Sequence, residues 1–122
     1  MKYIYLYCRA NENSIDTKES LSKLLIENGF IVENECSKNT ELIISIGGDG
    51  TFLSFVHKLQ FPSAPIIGIN TGHLGFFQEA SPATLESTIE RITNGEYITQ
   101  NIKPVEAKIY TVKNKSIIII IL

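Results

Sequence analysis

The chain has 122 residues, 43% of them hydrophobic and 20% charged, enough for one real core and too apolar for a disordered segment. A net charge of −2 gives no basic field, which argues against nucleic acid as a partner. Cys8 and Cys36 have no metal or redox spacing and read as reduced thiols of a cytoplasmic protein; there is no signal-peptide pattern, and the apolar run Ile117 to Leu122 is far too short to span a membrane.

Lys2 to Cys8 is a β-favouring run of tyrosine and isoleucine, read as the first strand. Asn11 to Ser14 reads as a polar loop, with Asp16 as N-cap and Glu19 at the third helical position, close to a capping box. Leu21, Leu24 and Leu25 give the helix its apolar face, and Asn28-Gly29 ends it. Phe30 to Glu33 is a short second strand, and Glu35 to Glu41 a polar connection. Leu42 to Ile46 is apolar on both faces, the pattern of a strand buried in a parallel sheet.

Gly47-Gly48-Asp49-Gly50 follows that strand. Then Phe52, Phe55, Val56 and Leu59 recur at helical spacing, which predicts a helix from about Thr51 to Leu59, closed before Pro62. Ile66 to Ile69 is the next buried strand. Ser81-Pro82 predicts a helix start, Leu85, Ile89 and Ile92 line that helix, and Asn94-Gly95 stops it. Strands alternating with helices predict an α/β fold: a Rossmann-like parallel sheet with helices on both faces over residues 1–96. From Tyr97 the period changes. Tyr97–Ile102, Ala107–Val112 and Ser116–Leu122 read as three strands, with a hairpin turn at Lys113-Asn114-Lys115. Residues 97–122 are therefore expected to begin a β-rich second domain. Natural chains seldom stop inside a buried strand, so the aliphatic run at 117–122 suggests a fragment of a longer protein.

Strand, glycine turn and helix N-terminus together suit a phosphate, because backbone N–H groups and the positive end of the helix dipole face the loop. Alone, the turn is a weak signal; it matches neither of the common glycine-rich phosphate motifs, and Asp49 near a helix cap is the plain alternative. A second stretch, Asn70-Thr71-Gly72-His73-Leu74-Gly75-Phe76-Phe77, follows the next strand. In an open parallel sheet both loops lie beyond the strands' carboxyl ends, where ligands bind. Aromatic rings beside a phosphate site suggest a nucleotide. Phe76 taken alone is more often core than ligand platform. His73 stands evenly between touching a phosphate and filling the loop, and Asn70 reads first as a loop hydrogen-bonder. No His, Cys or carboxylate cluster has metal spacing, so any Mg²⁺ would arrive with nucleotide phosphates.

Ile-Gly-Gly-Asp-Gly-Thr (46–51) and Gly-Ile-Asn-Thr-Gly-His-Leu-Gly-Phe (68–76) resemble the two N-terminal motifs of the NAD kinase family. The first is shared with diacylglycerol and sphingosine kinases and, loosely, phosphofructokinases; the second, at this spacing, is far more specific. The chain ends before the Asn-Glu motif of that family's second domain. The resemblance implies phosphoryl transfer from ATP, or from polyphosphate in some members, to the 2′-hydroxyl of the NAD adenosine ribose. It implies Asp49 as the catalytic aspartate and Gly47, Gly48, Gly50 and Thr51 as the nucleotide-contacting turn. It also implies Phe76 against adenine, with Phe77 and Leu53 near it and Asn70, Gly72 and His73 in the same loop. ATP with Mg²⁺ and NAD are then the small-molecule partners, and the full-length enzyme is expected to be a homo-oligomer. A lipid kinase of the diacylglycerol type is the alternative enzyme, disfavoured by the second loop and by the lack of a basic membrane-facing patch. An inactive nucleotide-binding fragment is the alternative that is not an enzyme.

Overall fold

The computed structural model describes residues 3–58, 63–72, 78–99, 106–112 and 115–121. Five strands, β1 (Tyr3–Cys8), β2 (Ile31–Glu33), β3 (Leu42–Gly47), β4 (Ile66–Asn70) and β5 (Gln78–Ala80), form one sheet in the order β2-β1-β3-β4-β5. Every pair in it is parallel. Helix α1 (Glu12–Glu27) connects β1 to β2, α2 (Asp49–Lys58) lies between β3 and β4, and α3 (Leu85–Thr93) follows β5. The expected α/β architecture is therefore present.

The chain steps from β1 outward to β2, then returns to the other side of β1 for β3 and moves on to β4. Crossovers between parallel strands are right-handed, so two crossovers running in opposite directions put their helices on opposite faces. The side chains agree. Ile4, Leu6, Leu42, Ile44, Ile46 and Ile69 form one buried cluster with Leu21 and Leu25 of α1 and Leu85, Ile89 and Ile92 of α3. The alternate residues of β1 face α2: the Phe55 ring lies 5.9 Å from Tyr5 and 4.5 Å from Tyr7. Burial on this wall raises the pKa of the Tyr5 hydroxyl above its ordinary value, and electrostatic interaction with Cys36, Tyr7 and Glu35 adds to it. β3 is buried along its whole length, Ser45 included, as its apolar residues on both faces predict.

Several boundaries differ from the sequence reading. α1 begins at Glu12, not after Asp16, and its N-cap is Asn11, whose side chain accepts from the Ser14 N–H at 2.8 Å. Asp16 sits inside the helix. Ser14 and Thr17 occupy buried positions on the inner face, so hydroxyl residues there hide the first turn from a hydrophobic pattern. The helix ends as expected: the Asn28 amide bonds back to Leu24 and Leu25, and Gly29 takes a positive φ of 86°. β2 begins at Ile31; Phe30, still bonded to the Leu25 carbonyl, belongs to the helix exit. α2 begins at Asp49, two residues before the expected Thr51. Leu59 and Pro62 lie outside the described residues.

β5 has no counterpart in the sequence reading. Ser81-Pro82 opens a 3₁₀ turn, Pro82–Thr84, before α3 starts at Leu85; the Ser81 N–H donates to Thr84 Oγ1 at 3.0 Å. Of the expected strand 97–102, residues 97–99 are not in a strand and the rest lie outside the described residues. β6 (Glu106–Val112) and β7 (Lys115–Ile121) pair antiparallel from Glu106 opposite Ile121 to Val112 opposite Lys115. That register joins them as the expected hairpin, with residues 113–114 of its turn outside the described residues.

Candidate functional site

A sheet of order 2-1-3-4-5 changes direction between β1 and β3. Loops leaving these two strands at their carboxyl ends diverge to opposite faces and leave a crevice, the usual ligand position in such folds. Three loops meet at this edge. Arg9 follows β1 and its N–H donates to the Ile46 carbonyl at 3.0 Å. Gly47 and Gly48 join β3 to α2. Thr71, after β4, donates its N–H to the Gly47 carbonyl at 3.2 Å. The two stretches singled out in the sequence are thus bonded to each other through Gly47, and the β1 loop forms a third wall.

The glycines of the turn separate into two kinds. Gly47 has a φ of 153°, and a Cβ there would lie 2.6 Å from Thr51 Oγ1 and 2.9 Å from Thr51 Cβ. Any side chain at 47 would collide with the start of α2, so this glycine is required by the fold. Gly48 and Gly50 differ: a Cβ on either would meet nothing within 4 Å, and neither has a positive φ of the left-handed kind. Gly72 is nearly as open, with only Asn70 Oδ1 at 4.0 Å. Among the described residues, nothing demands glycine at 48, 50 or 72. The fold leaves backbone without a side chain there, at the carboxyl edge of the sheet.

α2 makes that backbone useful. Its first helical hydrogen bond runs from the Phe52 N–H to the Gly48 carbonyl at 3.1 Å. The Gly50 and Thr51 amides come before it and have no acceptor within the helix. They supply donors at the positive end of a ten-residue helix. Asp49 lies between these glycines, in the first turn of α2. Leu53 follows one turn later and is 52% exposed. Asn70 ends β4 opposite Gly47, and its Oδ1 accepts from the Gly72 N–H at 2.9 Å, shaping the loop. The structure therefore brings Gly47, Gly48, Asp49, Gly50, Thr51, Leu53, Asn70 and Gly72 to one edge. His73, Phe76 and Phe77 lie outside the described residues.

Arg9 and Ser14 carried no functional signal in the sequence. The switch-point rule finds Arg9 once β1 and β3 are neighbours: it is exposed, and its backbone is pinned by Ile46 and by the Asn11 N–H, which donates to the Arg9 carbonyl at 2.9 Å. Cys8, beside it, is half-buried; burial pushes its thiol up, with Lys18 opposing. No such rule points to Ser14. Among the described residues no group of three His, Cys, Asp or Glu side chains could hold a metal ion, and no helix is long and apolar enough to cross a membrane. Two shallow depressions of about 380 and 400 Å³ lie along the α1–α3 seam, away from this edge.

Comparison with known proteins points to one family. The family model described as the ATP-NAD kinase N-terminal domain matches residues 4–97. The NAD kinase of Finegoldia magna is 36% identical over 107 residues, covering 88% of this chain and 39% of that protein. The NAD kinase of Marinobacter nauticus is 30% identical over 103 residues, covering 83% of this chain and 35% of that protein. The chain thus spans well under half the length of these relatives. Among solved structures, a yeast NADH kinase complexed with NADH superposes with a TM-score of 0.62 over 98% of this chain and 46% of that one. At 16% identity that likeness speaks to the fold.

Proposed function

This chain belongs to the ATP-NAD kinase family, and on that premise we propose that it forms the nucleotide-binding part of an enzyme that phosphorylates the 2′-hydroxyl of the NAD adenosine ribose. The observation that carries the reading is the pair of glycines, Gly48 and Gly50, that no neighbour among the described residues requires. Bare backbone flanking a carboxylate at a helix N-terminus, at the switch point of a parallel sheet, suits a polyphosphate and the hydroxyl that attacks it.

The transfer is a displacement at phosphorus. The ribose 2′-oxygen bonds to the γ-phosphorus of ATP as the bond from that phosphorus to the β,γ-bridging oxygen breaks, and ADP leaves. Charge spreads over the transferred phosphoryl oxygens in a loose transition state, so positioning and electrostatics carry most of the catalysis. The Gly50 and Thr51 amides supply part of that field. Asp49 orients the 2′-hydroxyl and takes its proton late in the transfer. A helix N-terminus makes a carboxylate a weak base, which suits a step where early proton removal helps little. Magnesium enters with the ATP as part of the substrate. By their match to the family's second motif, Phe76 and Phe77 are assigned to recognition of the adenine of NAD, together with Leu53, Asn70, Gly72 and His73. Residues 97–122 are read as part of a β-rich unit distinct from 1–96. The enzyme is taken to be cytoplasmic, consistent with two free cysteines, and homo-oligomeric.

Asp49→Asn in the full-length enzyme tests this. Asparagine keeps the size and still caps a helix well, but it takes no proton at neutral pH. The rate of NADP formation should fall by about 10²–10⁴-fold, with NAD affinity changing far less. A rate within a few-fold of the parent, with folding intact, would remove Asp49 from the mechanism.

A further inference from the structure

We propose that Ser14 is a positioning residue for the NAD side of the site, acting through Thr71; the inference rests on the reading of this edge as the NAD-binding crevice. Ser14 is fully buried in the first turn of α1. Its Oγ lies 2.7 Å from Thr71 Oγ1, across 57 residues of sequence. Its own N–H is held by Asn11 Oδ1 at 2.8 Å. Thr71 in turn donates its N–H to the Gly47 carbonyl at 3.2 Å, and the next amide, Gly72, donates to Asn70 Oδ1 at 2.9 Å. These bonds tie the loop after β4 to two supports, the β3 glycine turn and the start of α1.

Thr17 shows what an ordinary buried hydroxyl does on this helix. It sits one turn further along the same face, is also buried, and donates to the Asn13 carbonyl at 2.8 Å, within its own helix. A buried hydroxyl must find a partner. Thr17 finds a local one; Ser14 finds one in a loop of the site. Among the described residues, the Ser14 hydroxyl joins the Gly47 bond in fixing the lateral position of Thr71, and with it the direction in which the chain leaves toward Gly72. A displaced binding loop loses affinity and rate although no ligand contact has been deleted.

Four single variants of the full-length enzyme test this: Ser14→Ala, Thr71→Val, Thr71→Ser and Thr17→Ala, with the double variant S14A/T71V. Equilibrium binding of NAD and amide exchange at Thr71 and Gly72 are measured on each. Ser14→Ala and Thr71→Val should each weaken NAD binding by about 3- to 10-fold, the loss expected for one buried hydrogen bond. Both should speed exchange at Thr71 and Gly72, and the double variant should be no worse than either single one. Thr71→Ser, which keeps the hydroxyl, should stay near the parent. Thr17→Ala should lower the melting temperature as Ser14→Ala does, yet leave NAD affinity and loop exchange unchanged. Parent-like NAD affinity in Ser14→Ala, or an equal loss in Thr17→Ala, would overturn the positioning role alone. If Ser14→Ala does not fold, Thr71→Val against Thr71→Ser decides the matter. A parent that binds no NAD would overturn both this inference and the functional reading beneath it.

Discussion

The α1–α3 face of the sheet and its carboxyl edge are built on opposite terms. On the face, every large side chain is answered by another: Leu21, Leu25, Ile44, Ile46 and Ile89 are all buried within one cluster. At the edge, polar groups answer one another to fix the backbone, through Asn11 with Ser14, Ser14 with Thr71, Thr71 with Gly47 and Asn70 with Gly72. Beside them, at Gly48 and Gly50, an added Cβ would meet nothing within 4 Å among the described residues. Closed packing stabilises the fold; an ordered but open surface is what a ligand needs. Substitutions on the face should therefore cost stability and spare affinity, while substitutions at the edge should do the reverse.

The largest effect on stability is expected deep in the face. Leu25 is fully buried near the far end of α1, and Leu25→Ala should destabilise by about 2–5 kcal/mol in urea denaturation. NAD affinity per folded molecule should be unchanged; a matching loss of affinity would mean that the two regions are not separable. Gly47→Ala belongs to both regions. The collision with Thr51 and the unfavourable φ should cost about 1–3 kcal/mol, and because α2 must shift to relieve it, NADP formation should fall as well. A Gly47→Ala enzyme with parental stability would break the assignment of this glycine to the fold.

A smaller effect is expected from the aromatic loop. Phe76→Ala should weaken NAD binding by about 1–3 kcal/mol if the ring packs on adenine, the range for base stacking on aromatic side chains. Should the melting temperature collapse while NAD affinity per folded molecule survives, the ring belongs with the core and not with the edge.

The sequence was most legible where one physical demand acts alone. β3 is apolar on both faces because both faces are covered, and Gly29 stops α1 because a left-handed residue is needed there. The start of α1 was hidden because Ser14 and Thr17 hold buried positions that a hydrophobic pattern expects to be apolar. β5 was hidden because Gln78-Glu79-Ala80 has no β propensity; its pairing with β4 makes it a strand. The site was half legible. Glycines and a carboxylate after β3 pointed to phosphate chemistry, but which glycines the fold itself requires depends on where Thr51 sits. Arg9 became visible only when the strand order put β1 beside β3. Side-chain bonds such as Ser14 to Thr71 join residues far apart in the chain and leave no local pattern.

Gly50→Ala tests the central claim most directly, because fold and function predict opposite signs there. Gly50 lies in the first turn of α2 with open space around its Cα. If the turn serves only the fold, alanine is the better residue, stabilising the helix by up to about 1 kcal/mol. If the bare backbone serves a polyphosphate, the added methyl stands where the ligand approaches. The account predicts a melting temperature equal to or above that of the parent, together with a loss in NADP formation of about tenfold or more. Unchanged turnover in a Gly50→Ala enzyme of equal or greater stability would contradict it.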